Sequence, residues 1–152
     1  MGNYTEHALD GASAVDLVVA LYDGMIRFLY GAIAAVERGD AEQRRAAVKR
    51  ALDIIIHLQA RLRMDVGGHP AQALSEFYAS IFAQILQASQ AASKAKFQHA
   101  IDCVRNVRDA WREVARKTGS GEAQVAASIS SKGLEVPEKL DLEAAAISSW
   151  TA

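Results

Sequence analysis

Four histidines, a single cysteine and eighteen acidic residues are the groups in this 152-residue chain with the chemistry to ligate a metal or move a proton. A carboxylate-bridged two-metal site in a helical protein needs Glu-x-x-His on facing helices. Three residues before His7, His57, His69 and His99 stand Tyr4, Ile54, Val66 and Lys96, so none of them fits. We assign no metal ligand and no cofactor. His57 lies four residues after Asp53, a spacing that suits a hydrogen bond on a helix surface better than a catalytic pair. Cys103 has only His99 near it as a base, and its helical spacing with Ala100 and Val107 makes it a small core or boundary residue. Phosphate-binding Gly-rich loops are absent, and Val66-Gly67-Gly68 reads as a helix stop. With no catalytic residue to name, the chain is read as a non-enzyme.

The charged residues point away from nucleic acid. Basic side chains gather at Arg44, Arg45, Lys49, Arg50, Arg61 and Arg63, and again at Arg105, Arg108, Arg112, Arg116 and Lys117. The second group interleaves acids, with Arg105 and Asp109, and Glu113 and Lys117, at i,i+4, which is the pattern of a solvated, salt-linked helix face. Seventeen basic against eighteen acidic residues leave no excess to hold nucleic acid or an anionic membrane. Protein is the expected partner. One thiol allows no internal disulfide and fits a reducing compartment, so the expected location is cytoplasmic. The N-terminal stretch has no basic segment followed by an apolar run, and no window of about 18 consecutive apolar residues occurs, so neither a signal peptide nor membrane insertion is expected. Glu6 stands where a myristoylation pattern requires Ser or Thr.

Apolar residues recur at helical spacing from residue 14 to 117, and prolines occur only at 70 and 137. Ser13 with Asp16 resembles a capping box opening a first helix that runs to Arg38, before the Gly39–Asp40 break. Asp40 with Gln43 opens a second helix, whose seam is Val48, Ala51, Ile55, Leu58 and Leu62 and which "VGGHP" ends. Pro70 begins a third helix with Leu74, Tyr78, Ile81, Ile85 and Ala88 on its seam. Ser93 caps a fourth, carrying Phe97, Ala100, Val104, Val107, Trp111 and Val114 and stopping near Thr118–Gly119. Short connections leave no length to return to the starting end, so neighbours run antiparallel. The expected fold is all-α: an up-down-up-down four-helix bundle with an N-terminal arm and a C-terminal extension. Its bundle domain covers residues 1–119. Residues 120–152, with five acids against Lys132 and Lys139 and widely spaced apolar positions, form a tail that is either disordered or docked on the bundle.

"LYDGMIRFLYGAIAAV", Leu21–Val36, holds only two charges, Asp23 and Arg27. Turning about 100° per residue puts Val15, Val18, Tyr22, Met25, Leu29, Ala32 and Val36 on the bundle seam. Leu17, Leu21 and Phe28 widen the apolar arc on one flank; Val19, Ile26, Tyr30 and Ile33 widen it on the other. On the second helix Ile54, Ile55 and Ile56 cannot all point inward. Such a surplus has three outlets: cover by the chain's own ends, self-association, or a partner peptide held in a groove.

Five segments, "ASAVDLVVALYDGMIRFL", "RALDIIIHLQARL", "MDVGG", "LSEFY" and "VRDAW", stand in the order and spacing of the flagellar secretion chaperone family FliS, which this chain resembles over residues 4–117. It departs at Ala14, where the family pattern usually has proline, at Ser80, where an aromatic is common, and throughout the tail. The resemblance implies a cytosolic, non-enzymatic chaperone that binds the C-terminal segment of flagellin, prevents premature polymerisation and delivers it to the flagellar export apparatus. On this reading the client lies against Tyr4, Leu17, Leu21, Ile26, Ile54 and Ile56, while Tyr22, Met25, Leu29, Leu58 and Trp111 hold the core. The tail, with Trp150, would cover the groove when no client is bound. The protein would be a monomer or weak dimer. A self-associating bundle, or a chaperone for a different client, are the alternatives.

Overall fold

Gly39 makes the first reversal of the chain. Its φ of +69° lies in the left-handed region that glycine adopts without a Cβ clash, and its N–H reaches the Val36 carbonyl at 3.0 Å. Asp40 then accepts from the Gln43 N–H at 3.0 Å, capping the next helix. The structure, a computed structural model, describes residues 3–62, 64–116 and 129, with the side chains of 14–62, 71–116 and 129. Among these residues there are four helices and no strand: α1 (Asn3–Arg38), α2 (Ala41–Ala60), α3 (Met64–Ala91) and α4 (Lys94–Arg116). At the third turn Ala92 takes a φ of +47°, and the Ser93 hydroxyl accepts from the Lys96 N–H at 3.2 Å.

Two helix starts lie earlier than capping signals suggest. α1 is already helical at Asn3, so Ser13 is interior to the helix and opens nothing, and the N-terminal arm is a helical extension of α1. The stretch before Ser13 contains no proline and several good helix formers, which lets the helix propagate backwards. α2 closes at Ala60, with Arg61 and Leu62 turning back through i→i−3 bonds to Leu58 and Gln59, both 3.2 Å. The Gly67-Gly68 pair and Pro70 therefore fall inside α3 and do not separate α2 from it. Packing of Ala71, Ala73 and Leu74, all buried, outweighs the weak local propensity before them.

Cross-helix pairs give the direction of each helix. Glu37, Tyr30 and Asp23 on α1 meet Lys94, Arg105 and Arg108 on α4, so those two run antiparallel. Phe28 lies under the Arg50 guanidinium, 5.7 Å from the ring centre, and Gly24 faces Ile54, so α1 and α2 do too. Gln59 bonds Ser75, and Val48 lines a recess with Ser89, which sets α2 antiparallel to α3. Each helix thus packs on two neighbours, in the ring α1–α2–α3–α4.

The seam positions named above are buried, Val36 alone being partly exposed. Polar groups join the core at its centre: the Tyr22 and Tyr78 hydroxyls are 2.7 Å apart, with the rings edge to face at 65°, and Trp111 also hydrogen-bonds Tyr22. Burial pushes both phenols well above their ordinary pKa, in Tyr22 against the opposing pull of those hydrogen bonds. Ile129, from the C-terminal extension, is fully buried within the same cluster. The rest of residues 120–152, Trp150 included, lies outside the described residues, and so does any cover it gives the groove.

Ala14–Arg38 has the length and hydropathy of a bilayer span. In the bundle its seam is covered by the other three helices, and its Asp23 and Tyr30 are held by arginines of α4.

Candidate client-binding surface

The apolar surplus of α1 divides between two neighbours. One flank, Leu17, Leu21, Gly24 and Phe28, turns to the α2 side, where Gly24 and Phe28 meet Ile54 and Arg50. Leu17 remains 45% exposed and Leu21 is half-buried. The other flank, Val19, Asp23, Ile26 and Tyr30, turns to α4. Ile26 is only 6% exposed and belongs to the core, so it is not a surface contact. Its burial follows from its position between Asp23 and Tyr30, both of which α4 pulls in.

Polar groups latch that seam. Arg108 donates to Asp23 at 2.9 Å and to Asp109 at 3.0 Å, while Arg112 reaches Asp23 at 3.4 Å. Desolvation works to lower the Arg108 pKa, and the hydrogen bonds to Asp109 and Asp23 outweigh it, so the guanidinium stays firmly charged. Tyr30 accepts from Arg105 at 2.7 Å, and hydrogen bonds with Gln98 first and Arg105 second hold its phenol below the usual range. The spacing in sequence suggested other pairs. Arg105 bonds Tyr30 in place of Asp109, Glu113 pairs with Arg116, Asp53 pairs with Lys49 at 3.1 Å in place of His57, and Lys117 lies outside the described residues.

An apolar opening lies between α2 and α3. One recess of about 510 Å³ is lined by Ile55, Ile56, Gln59, Ala60, Tyr78, Ala79 and Phe82. A second, of about 380 Å³, is lined by Arg45, Val48, Lys49, Leu52, Asp53, Ile56, Phe82, Leu86, Ser89 and Gln90. Ile56 and Phe82 border both, so the two form one trough along the outside of the bundle. Ile56 is 55% exposed and Leu86 39%. The three isoleucines divide as helical geometry requires: Ile55 enters the core, Ile54 packs towards α1, and Ile56 stands at the trough rim. Of the expected client residues, Ile56 is the one that lines the trough; Leu17, Leu21 and Ile54 sit across the α1/α2 seam, and the Tyr4 side chain lies outside the described residues.

Phe82, Leu86 and Leu52 went unmarked in the sequence reading. A signal existed: Phe82–Leu86 and Leu52–Ile56 are i,i+4 pairs beside the core stripes of their helices. Among the described residues no three His, Cys, Asp or Glu side chains gather as ligands. Cys103 is buried, 3.8 Å from His99 Nε2, and burial raises its thiol pKa, with Asp102 adding to the effect.

Three relatives resemble the chain, each a flagellar secretion chaperone FliS. The protein from Vibrio cholerae is 31% identical over 106 residues, covering 70% of this chain and 78% of its own length. That from Salmonella typhimurium is 29% identical over 120 residues, 78% of this chain and 89% of its own. That from Campylobacter jejuni is 31% identical over 111 residues, 73% and 87% respectively. The family model described as flagellar protein FliS matches residues 1–118, a span that includes all four helices with the latched α1/α4 seam and the α2/α3 trough. The chain belongs to the FliS family of flagellar secretion chaperones.

Proposed function

We propose that this protein is a cytoplasmic, non-enzymatic export chaperone that binds the C-terminal segment of flagellin, keeps it from polymerising early and delivers it to the flagellar type III secretion apparatus. The observation that supports the reading is the trough between α2 and α3, where Leu52, Ile56, Phe82 and Leu86 present apolar surface on the outside of a bundle whose core is already filled. A disordered segment that folds into an amphipathic helix along this trough buries its own apolar stripe, which is the face it would otherwise use to assemble. Part of the binding energy is lost in ordering the segment, so the complex stays releasable. Leu17, Leu21 and Ile54 offer a second, shallower contact line across the α1/α2 seam.

Capture of flagellin from the source cell by the tagged full-length chain tests the proposal. Recovery of flagellin, lost with Ile56→Asp, is the expected result. Capture that persists in that variant would remove the trough from the mechanism, and failure to recover flagellin at all would remove the client.

A further inference from the structure

The two basic residues of the trough walls stand at one end, with Asp53 one turn further along α2. Arg45 and Lys49 stand where α2 begins, facing Ser89 and Gln90 near the end of α3. Lys49 is tied to Asp53 at 3.1 Å, whereas Arg45 has no ion-pair partner among the described residues. Towards the other end the lining is Gln59, Ala60, Tyr78 and Ala79, all uncharged. α3 offers no cation over residues 71–91, and its single charge there, Glu76, adjoins Ser75, which bonds Gln59 at that neutral end. The floor between is apolar throughout: Leu52, Ile56, Phe82 and Leu86.

We infer that the trough takes an amphipathic helix of about four turns whose apolar stripe is neutral along most of its length and whose end beside Arg45 and Lys49 is acidic. This deepens the proposed client-groove reading and rests on it. The length follows from the span of α2 that lines the trough, Arg45 to Ala60, which at a rise of about 1.5 Å per residue is roughly 22 Å. The charge follows from complementarity. A basic end on the occupant would meet Arg45, which no described acid neutralises, while carboxylates there would pair with Arg45 across the rim, Lys49 being already tied to Asp53. Such rim pairs set orientation and register more than overall affinity, because they remain in contact with water. An acidic first turn is also the end of a helix where carboxylates are most favourable. The preferred occupant therefore lies with its N-terminal end at Arg45 and runs alongside α2.

The test uses the full-length protein and three synthetic 16-residue helical peptides with one shared leucine stripe, differing only in two residues of the first turn: Glu, Gln or Lys. Fluorescence anisotropy at low salt should rank them Glu over Gln over Lys, with about a fivefold gap from first to last that closes in half-molar salt. Arg45→Glu with Lys49→Glu should reverse the order, and Ile56→Asp should weaken all three at least tenfold. If all three bind equally and Ile56→Asp still removes them, the acidic-end inference fails while the groove stands. If Ile56→Asp changes nothing, or none of the peptides binds, the groove reading itself fails. A dimer in sedimentation that Ile56→Asp dissociates would make a second copy the occupant and overturn the inference.

Discussion

The Tyr22 and Tyr78 hydroxyls meet at 2.7 Å inside the core, joining α1 to α3 across the diagonal of the bundle. Neighbouring helices are held by seams, but α1 and α3 are not neighbours, and this pair is the polar contact that sets one against the other. Trp111 adds α4 to the same cluster. A hydroxyl pair so enclosed favours one rotation of the helices over others that bury the same apolar area.

Removing one hydroxyl should be costly in proportion to what it strands. Tyr22→Phe leaves the buried Tyr78 hydroxyl without its partner, and an unsatisfied buried group costs about 1–3 kcal/mol. Urea denaturation should show that loss, and the Tyr22→Phe/Tyr78→Phe double variant should lose less than the sum of the two singles.

The same pair predicts an alkaline limit. Both phenols have folded pKa values raised above the ordinary 10.0, because burial disfavours the phenolate. Their contribution is fully present below pH 10 and is lost as the pH rises above it, by about 1.4 kcal/mol per pH unit for each tyrosine. The urea midpoint should fall between pH 10 and 11, and the double phenylalanine variant should flatten the fall.

Ile26 and Ile56 should behave as opposites. Ile26→Asp places a charge in the core and should unfold the bundle, read by circular dichroism. Ile56→Asp, at an exposed rim, should shift stability by under about 0.5 kcal/mol while weakening binding of the proposed flagellin client roughly 10- to 150-fold, the range for one lost apolar anchor.

Ile129 gives a bounded prediction. Replacing it with Asp costs no more than withdrawing that one side chain from the core, so the loss should stop at the roughly 1.5–3 kcal/mol of one buried isoleucine. Thermal melting should show a modest drop.

The seams were legible because a period of 3.6 residues is a property of one helix alone, and Leu74, Tyr78, Ile81, Ile85 and Ala88 need no knowledge of their neighbours. Helix starts were not, because packing around Ala71 and Leu74 outvotes the local signals at Gly67, Gly68 and Pro70. Partner choice was hidden for a different reason. Arg105 has an acid four residues away on its own helix, and only the packing of α4 on α1 shows that Tyr30 takes it instead. Bundle rotation decides between Ile26 and Ile56, and rotation is fixed by contacts such as Tyr22–Tyr78 that join residues 56 apart.

The two- and three-residue connections described above have a kinetic meaning. Each of the first three helix pairings joins segments adjacent in the chain, so little loop entropy stands between the unfolded polypeptide and three quarters of the ring. The docking of α4 on α1, sealed by Asp23 with Arg108, and the diagonal Tyr22–Tyr78 contact are the steps that bring distant residues together. A topology of such low contact order places the chain among proteins that fold in about microseconds to milliseconds, so its oily residues spend little time unsorted between core and trough.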